Sequence, residues 1–184
     1  MPFTPYHFGP SGFFGLLLRR WIDPFVFVAA NVIVDVEVLF APGLYPHRHW
    51  HWHSWLIGAG VGAAFGASLY FIKPIRRFIT DAMDFLRVPY KPGPIKMTVA
   101  GALGVCFHVL IDSFYHYDVQ PLFPRQRNPL WWLINDSLKD DISQTIIKII
   151  CLLFFIPAII LYVLTVRSYN KQKSSKDNVD AESK

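Results

Sequence analysis

The sequence predicts an all-α membrane protein, a multi-pass transmembrane bundle of about five helices whose first helix could be re-entrant. Only 17% of its 184 residues are charged, against about 25% in a soluble domain. Segments 54–72 and 149–166 carry no charged residue, and about 20 helical residues cross the hydrocarbon core of a bilayer. The basic residues lie at the ends of apolar segments, which favours membrane topology over nucleic-acid binding.

The predicted helices follow one another in a single membrane domain, residues 1–166. They cover residues 8–20, 24–40, 54–72, 97–117 and 149–166. The first is short and is expected to reach only part of the way across the bilayer. Residues 167–184 are polar and show no periodicity, so we predict a disordered cytoplasmic tail.

Basic residues predict the orientation of the bundle, because they accumulate in cytoplasmic loops. Thirteen of the 18 Lys and Arg residues lie in segment 73–96, in the tail or at Arg19 and Arg20. The N-terminus is therefore expected outside, with segment 73–96 as a cytoplasmic loop and the C-terminus in the cytoplasm. A re-entrant or interfacial hairpin made by the first two helices gives the same sidedness. The basic residues expected on the outer side are Arg48, Arg125, Arg127 and Lys139.

Ionisable side chains inside apolar segments are costly, and they indicate function. The depth of each side chain in the bilayer follows from its distance along the helix to the basic residue at the cytoplasmic end, at about 1.5 Å per residue. His7, Asp35 and the pair His108 and Asp112 then lie roughly 18 to 24 Å deep, in the outer half of the bundle. His53 lies at the outer rim of the same layer. Three separate helices thus bring polar groups to one depth.

Histidine and carboxylate side chains on facing helices build metal sites in bundles. His108 and Asp112 are four residues apart and share a helix face, which His116 would continue one turn further. The predicted ligands are His7, Asp35, His49, His53, His108 and Asp112. Three histidines remain alternatives as the partner of His53: His47, His49 and His51. The expected cofactor is a divalent metal, with zinc as the first candidate and iron or manganese as alternatives.

Glu37 and His116 are the candidate catalytic residues, as general base or as a further ligand. Glu37 lies two residues beyond Asp35, about 200° around a regular helix, so the two do not face one point. A frayed helix end would let both carboxylates bind metal. Otherwise Glu37 accepts the proton of a water molecule, or it orients a ligand histidine from behind.

The order of these motifs resembles the YdjM-like inner-membrane metal-dependent hydrolases. The resemblance covers roughly residues 2–130, and two departures stand out. Glu37 stands where many members have Asp, and a His/Trp alternation replaces their usual histidine segment. The resemblance implies His and Asp ligands on a helical bundle in a bacterial inner membrane, with kinship to α-helical zinc phospholipase C folds. The matching stretches are Tyr6–His7, Asp35–Val36–Glu37, residues 49–54, residues 108–112, Asp118–Pro124 and Asn128–Pro129.

These observations predict a membrane-embedded metal-dependent hydrolase acting on an ester or phosphodiester near the outer leaflet. The expected partners are the bilayer and a lipid or other amphiphilic substrate, whose anionic headgroup would contact Arg48, Arg125 and Arg127. No G-x-S-x-G motif is present, which disfavours serine chemistry. The alternative is a non-catalytic membrane protein with a structural metal, or a transporter of metal or protons. The scarcity of ionisable residues in the cytoplasmic halves of the helices disfavours transport.

Overall fold

The computed structural model describes residues 5–37, 51–135, 138 and 140–182, and the regular structure of this part of the chain is entirely helical. A 3-10 helix, His51–His53, precedes the third α-helix. The α-helices are α1 (Pro5–Leu17), α2 (Pro24–Ile33), α3 (Trp55–Phe71), α4 (Lys73–Phe85), α5 (Pro94–Tyr115), α6 (Pro129–Asn135), α7 (Asp140–Leu153) and α8 (Phe155–Glu182).

Two helical segments are long and apolar enough to cross a membrane, namely Pro94–Tyr115 and Ile142–Ser175. A third crossing arises if α3 and α4, which meet at 89°, form one bent span. With 13 and 10 residues, α1 and α2 are only roughly 20 and 15 Å long, shorter than the bilayer core of about 30 Å. The all-helical, membrane-compatible fold is confirmed, whereas five crossings stay a prediction.

The contact between α3 and α5 forms the centre of the bundle. Gly58, Gly62 and Gly66 lie one turn apart along α3 and are all buried. A Cβ atom added at Gly62 would overlap the backbone carbonyl of Gly101, and one at Gly66 would overlap that of Met97. Small residues therefore let the two backbones touch, as expected for helix packing in membranes.

The helix α2 begins at a well-formed cap and ends earlier than predicted. Asp23 caps it by accepting the Val26 N–H at 3.0 Å. Beyond Ile33 the chain forms tight i→i−3 bonds, from Asp35 N to Val32 O and from Glu37 N to Val34 O, both 3.2 Å. The predicted continuous helix 24–40 is therefore interrupted at residues 34–35, while residues 36–37 are helical again and residues 38–40 lie outside the described residues. A 3-10-type end re-aims the side chains that follow.

Segment 73–96 contains the helix α4, so the prediction of a plain loop is wrong for residues 73–85. Ile79 and Met83, four residues apart, are buried against the bundle, while Phe78 on the other face is 66% exposed. The helix ends in a Schellman turn, in which the Val88 N–H donates to Met83 O at 3.0 Å. Arg87 has the left-handed φ of 54° that this turn needs.

The last helix continues through the segment for which the sequence predicts a disordered tail. It runs to Glu182, well beyond the apolar residues that end at position 166. No Gly or Pro interrupts residues 167–182. Extending an existing helix avoids the nucleation cost, so a polar sequence without helix breakers can follow it.

Candidate metal centre

Four side chains converge at one end of the bundle: Asp35, His53, His108 and Asp112. One nitrogen or oxygen atom from each lies within 4.8 Å of the other three. His53, His108 and Asp112 are buried, whereas the Asp35 side chain is 29% exposed. The four residues thus form a mostly buried group with one accessible member.

Three elements of the chain deliver these side chains. His108 and Asp112 lie one turn apart on α5, near its end. Asp35 comes from the tight turn after α2. The helix α2 can pack closely on α5 because residue 104 is a glycine; a Cβ atom there would overlap the Phe27 carbonyl. His53 ends the 3-10 helix before α3.

The spacing of the donor atoms is compatible with a bound metal ion. His108 Nε2 lies 3.0 Å from Asp112 Oδ2 and 3.2 Å from Asp35 Oδ1. His53 Nε2 lies 3.7 Å from Asp35 Oδ1 and 3.9 Å from Asp112 Oδ2. A tetrahedral zinc ion with bonds of about 2.0–2.1 Å holds its donor atoms about 3.3–3.4 Å apart. The four measured distances lie within about 0.6 Å of that spacing, and no two donor atoms of the group are more than 4.8 Å apart.

Hydrogen bonding alone fits the group less well than a cation does. A single N–H of His108 has two carboxylate oxygens within 3.2 Å, from different residues. An imidazole nitrogen carries at most one proton, so the two carboxylate oxygens could only share it in a three-centre hydrogen bond. A cation between the four atoms would satisfy both carboxylates and both imidazoles together.

Glu37 lies behind His53, on the side away from the other three residues. Its Oε2 is 2.8 Å from His53 Nδ1, and its Oε1 accepts the Trp52 N–H at 2.9 Å. An ionised carboxylate only accepts, so His53 Nδ1 would donate to it, and in a neutral ring the lone pair of Nε2 would then face the cluster. Glu37 is thus hydrogen-bonded to one nitrogen of the imidazole ring, and Asp35 lies 3.7 Å from the other. This geometry favours the orienting role of Glu37 over a shared ligand position.

His7 reaches the same site from the first turn of α1. Its Nε2 lies 3.2 Å from Asp112 Oδ1, and its ring centroid lies 4.3 Å from that of His108. It is buried, with 3% of its surface exposed. His7 and His108 contact different oxygens of Asp112, and His7 is not part of the four-residue group.

His116 lies directly after the end of α5, as its C-cap residue, and not on a further helical turn. The helix α5 ends at Tyr115, and His116 has an extended backbone with φ −113° and ψ 126°. Its N–H donates to Asp112 O at 2.7 Å, which closes the last helical turn. Its carbonyl accepts a hydrogen bond from Asn128 Nδ2 at 2.8 Å.

The remaining predicted site residues divide into two sets. Arg125 and Arg127 are exposed in the loop between α5 and α6. This loop packs over the site end of the bundle, where Trp55 N donates to Pro121 O at 3.0 Å. Arg48 and His49, together with His47, lie outside the described residues.

Asn128 is a supporting residue that the sequence reasoning did not select as part of the site. Its side chain donates to Ser113 O at 3.0 Å and to His116 O at 2.8 Å, and it accepts the Trp131 N–H at 3.1 Å. It therefore ties the end of α5 to the start of α6. The Asn-Pro pair at 128–129 is typical of a helix start, so the sequence could have indicated a capping role for Asn128.

Comparison of the chain with protein-family models, with curated proteins and with solved structures finds no match. The fold and the site define its class: in its described residues the protein is all-helical, with two or three helices apolar enough to span a membrane. It carries a largely buried Asp/His group that could hold a metal ion.

Proposed function

We propose that this protein is a membrane-embedded metal-dependent hydrolase that cleaves an ester or phosphodiester bond of an amphiphilic substrate. The observation that supports it is the Asp/His group, buried except for one carboxylate, Asp35, which is 29% exposed. Structural zinc sites are usually closed and rich in cysteine, whereas carboxylate ligands and access from outside are typical of catalytic sites.

The roles of the side chains follow from their positions. A divalent metal would act as a Lewis acid and lower the pKa of a water molecule to about 7. Asp35 lies at the accessible edge, where water and substrate would approach. Glu37 holds the ring of His53, and His7 holds the carboxylate of Asp112. Zinc is the proposed ion because imidazole and carboxylate are both zinc ligands, with iron or manganese as alternatives.

The site is proposed to face the outer leaflet of a bacterial inner membrane. It lies at the end of α5 remote from Lys96, and basic residues mark the cytoplasmic side. The resemblance to YdjM-like hydrolases supports this location. Exposed Arg125 and Arg127 would contact an anionic headgroup there. A cysteine replacing Arg125 should react with an impermeant reagent only from outside; labelling only from the cytoplasm would reverse the orientation.

The proposal is tested by measuring metal content and hydrolysis on one preparation in mild detergent. His108→Ala and Asp112→Ala should each lose most of the bound metal and the hydrolysis of a panel of phospholipids and phosphodiesters. Asp81→Ala, which removes an exposed carboxylate of α4, is the matched control and should retain both. A folded wild-type protein that binds no transition metal would refute the proposal.

A structural metal is the second candidate, because four protein ligands can complete a tetrahedral shell without water. It predicts stoichiometric metal and loss of thermal stability on chelation. It also predicts no turnover of any substrate in the panel.

A further inference from the structure

A second site lies at the end of the bundle opposite the metal centre. A cavity of about 270 Å³ opens there between the start of α2, the loop before α5 and the first turn of α5. Three cationic side chains line it: Arg19, Lys91 and Lys96. Lys96 is 12 residues from His108 along α5, roughly 18 Å away, so this cavity is separate from the Asp/His group.

The carboxylate that lines this cavity, Asp23, already accepts hydrogen bonds from the protein at both of its oxygens. Asp23 Oδ1 accepts the Val26 N–H at 3.0 Å, and Oδ2 accepts the Tyr90 hydroxyl at 2.6 Å. Burial raises the pKa of this carboxyl above its usual value, although the hydrogen bonds from Tyr90 and the backbone oppose the shift. The cavity therefore has a surplus of positive charge that an anion would balance.

An apolar groove of about 390 Å³ adjoins this cavity. It runs between α1 and α2, from Leu16 and Pro24 to Gly12 and Ala29, and the end of α4 closes one side. Pro24 lines both the groove and the cavity. From Pro24 to Ala29 the groove follows α2 for roughly 8 Å toward the middle of the bundle.

We propose that the cavity and the groove together bind one anionic phospholipid from the leaflet at this end of the bundle. Its phosphate headgroup lies among Arg19, Lys91 and Lys96, and one acyl chain lies along the groove. A free phosphate ion would complement the charges of the cavity but leave the apolar groove uncovered. A zwitterionic lipid would cover the groove but balance less of the charge. Only an anionic amphiphile complements both surfaces.

The experiment uses the full chain purified in detergent and incubated with an equimolar mixture of phosphatidylglycerol and phosphatidylcholine. Native mass spectrometry then counts the retained lipid of each kind. Wild-type protein should retain phosphatidylglycerol preferentially. Lys91→Gln with Lys96→Gln should weaken its binding about 25-fold, since each basic residue near an anionic surface contributes about fivefold. The control pair Lys73→Gln with Arg77→Gln removes two exposed charges of α4 and should change binding little.

A second variant tests the groove. A Cβ atom at Gly12 meets nothing within 4 Å, so Gly12→Leu should fold and project its side chain into the groove. It should lower phosphatidylglycerol retention at least tenfold. Gly60 on α3 has equally open surroundings and lies outside the groove, so Gly60→Leu is the matched control and should bind as wild type.

Three results would overturn the proposal. The first is equal retention of the two lipids by wild-type protein. The second is that Gly12→Leu, or the double variant Lys91→Gln with Lys96→Gln, binds phosphatidylglycerol no more weakly than its matched control. The third is displacement of the lipid by inorganic phosphate at the same concentration, which would identify a site for a free anion.

Discussion

The hydrogen bonds of Glu37 predict that an amide at this position weakens metal binding to the neighbouring His53. In the wild-type protein the two carboxylate oxygens accept from two donors, the Trp52 N–H at 2.9 Å and His53 Nδ1 at 2.8 Å. Glutamine has nearly the same shape, but it offers one acceptor and one donor group. Glu37→Gln can therefore satisfy only one of the two donors.

Both arrangements of the glutamine are unfavourable. If its oxygen accepts the Trp52 N–H, its amide group faces His53 Nδ1. The proton of the neutral ring must then move to Nε2, the atom that faces Asp35 and Asp112. If its oxygen accepts His53 Nδ1–H instead, its amide faces the Trp52 N–H. A buried donor without an acceptor costs about 1–3 kcal/mol.

The expected loss of metal affinity is about 10- to 100-fold, the usual effect of removing a partner behind a ligand histidine. That range equals about 1.4 to 2.8 kcal/mol of binding free energy. Competition of the purified protein against a chelator of known affinity measures it. Asp81→Asn, which changes an exposed carboxylate of α4, is the control for a lost charge and should bind metal as wild type does.

Two outcomes would contradict the orienting role of Glu37. Wild-type metal affinity together with a loss of hydrolysis would identify Glu37 as a general base, for which a loss of about 10²–10⁴-fold in turnover is usual. Wild-type affinity together with wild-type hydrolysis would remove Glu37 from the site chemistry altogether.

Thermal unfolding in detergent checks three predictions about the fold. Gly62→Leu should lower the free energy of unfolding by about 1–3 kcal/mol or more, because its Cβ overlaps the Gly101 carbonyl; Gly60→Leu, with open space around it, should not. Arg87→Gly should raise stability by up to about 1 kcal/mol, since the φ of 54° strains an L-residue; an unchanged midpoint would contradict this. Asn128→Ala leaves one buried and one partly buried carbonyl without their donor and should cost about 1–3 kcal/mol, and a smaller loss would show that water replaces the amide.

The residues at the centre of the site could be selected from the sequence alone. Asp35, His108 and Asp112 interrupt apolar segments at one depth below the basic ends of their helices, and His53 begins the next apolar segment. Helix rise and helix periodicity are regular, so depth and face can be read from residue number. The structure places one donor atom of each of these residues within 4.8 Å of the others.

The details that were missed depend on where helices end. Residues 34–41 contain no Gly or Pro, so the sequence does not show that α2 stops before Asp35. Likewise the sequence does not show that α5 ends at Tyr115, which makes His116 the C-cap residue. The bend of 89° between α3 and α4 occurs at Ile72, where Pro74 gives a helix start. The angle itself is set by packing of the buried Ile79 and Met83 against the bundle, which is a tertiary effect.

Charge balance links the metal centre to the stability of the fold. Three carboxylates, Asp35, Glu37 and Asp112, lie against His53 and His108, and all but Asp35 are buried. Burying several carboxylates is expensive unless cations compensate them. Protonation of the imidazoles would compensate the carboxylates. At neutral pH, however, most of the protons would be released by a histidine in water. A divalent cation supplies the same charge without those protons and accepts the lone pairs of both rings. Metal binding at this site should therefore also favour the packing of α2 against α5, because its ligands come from both sides of that contact.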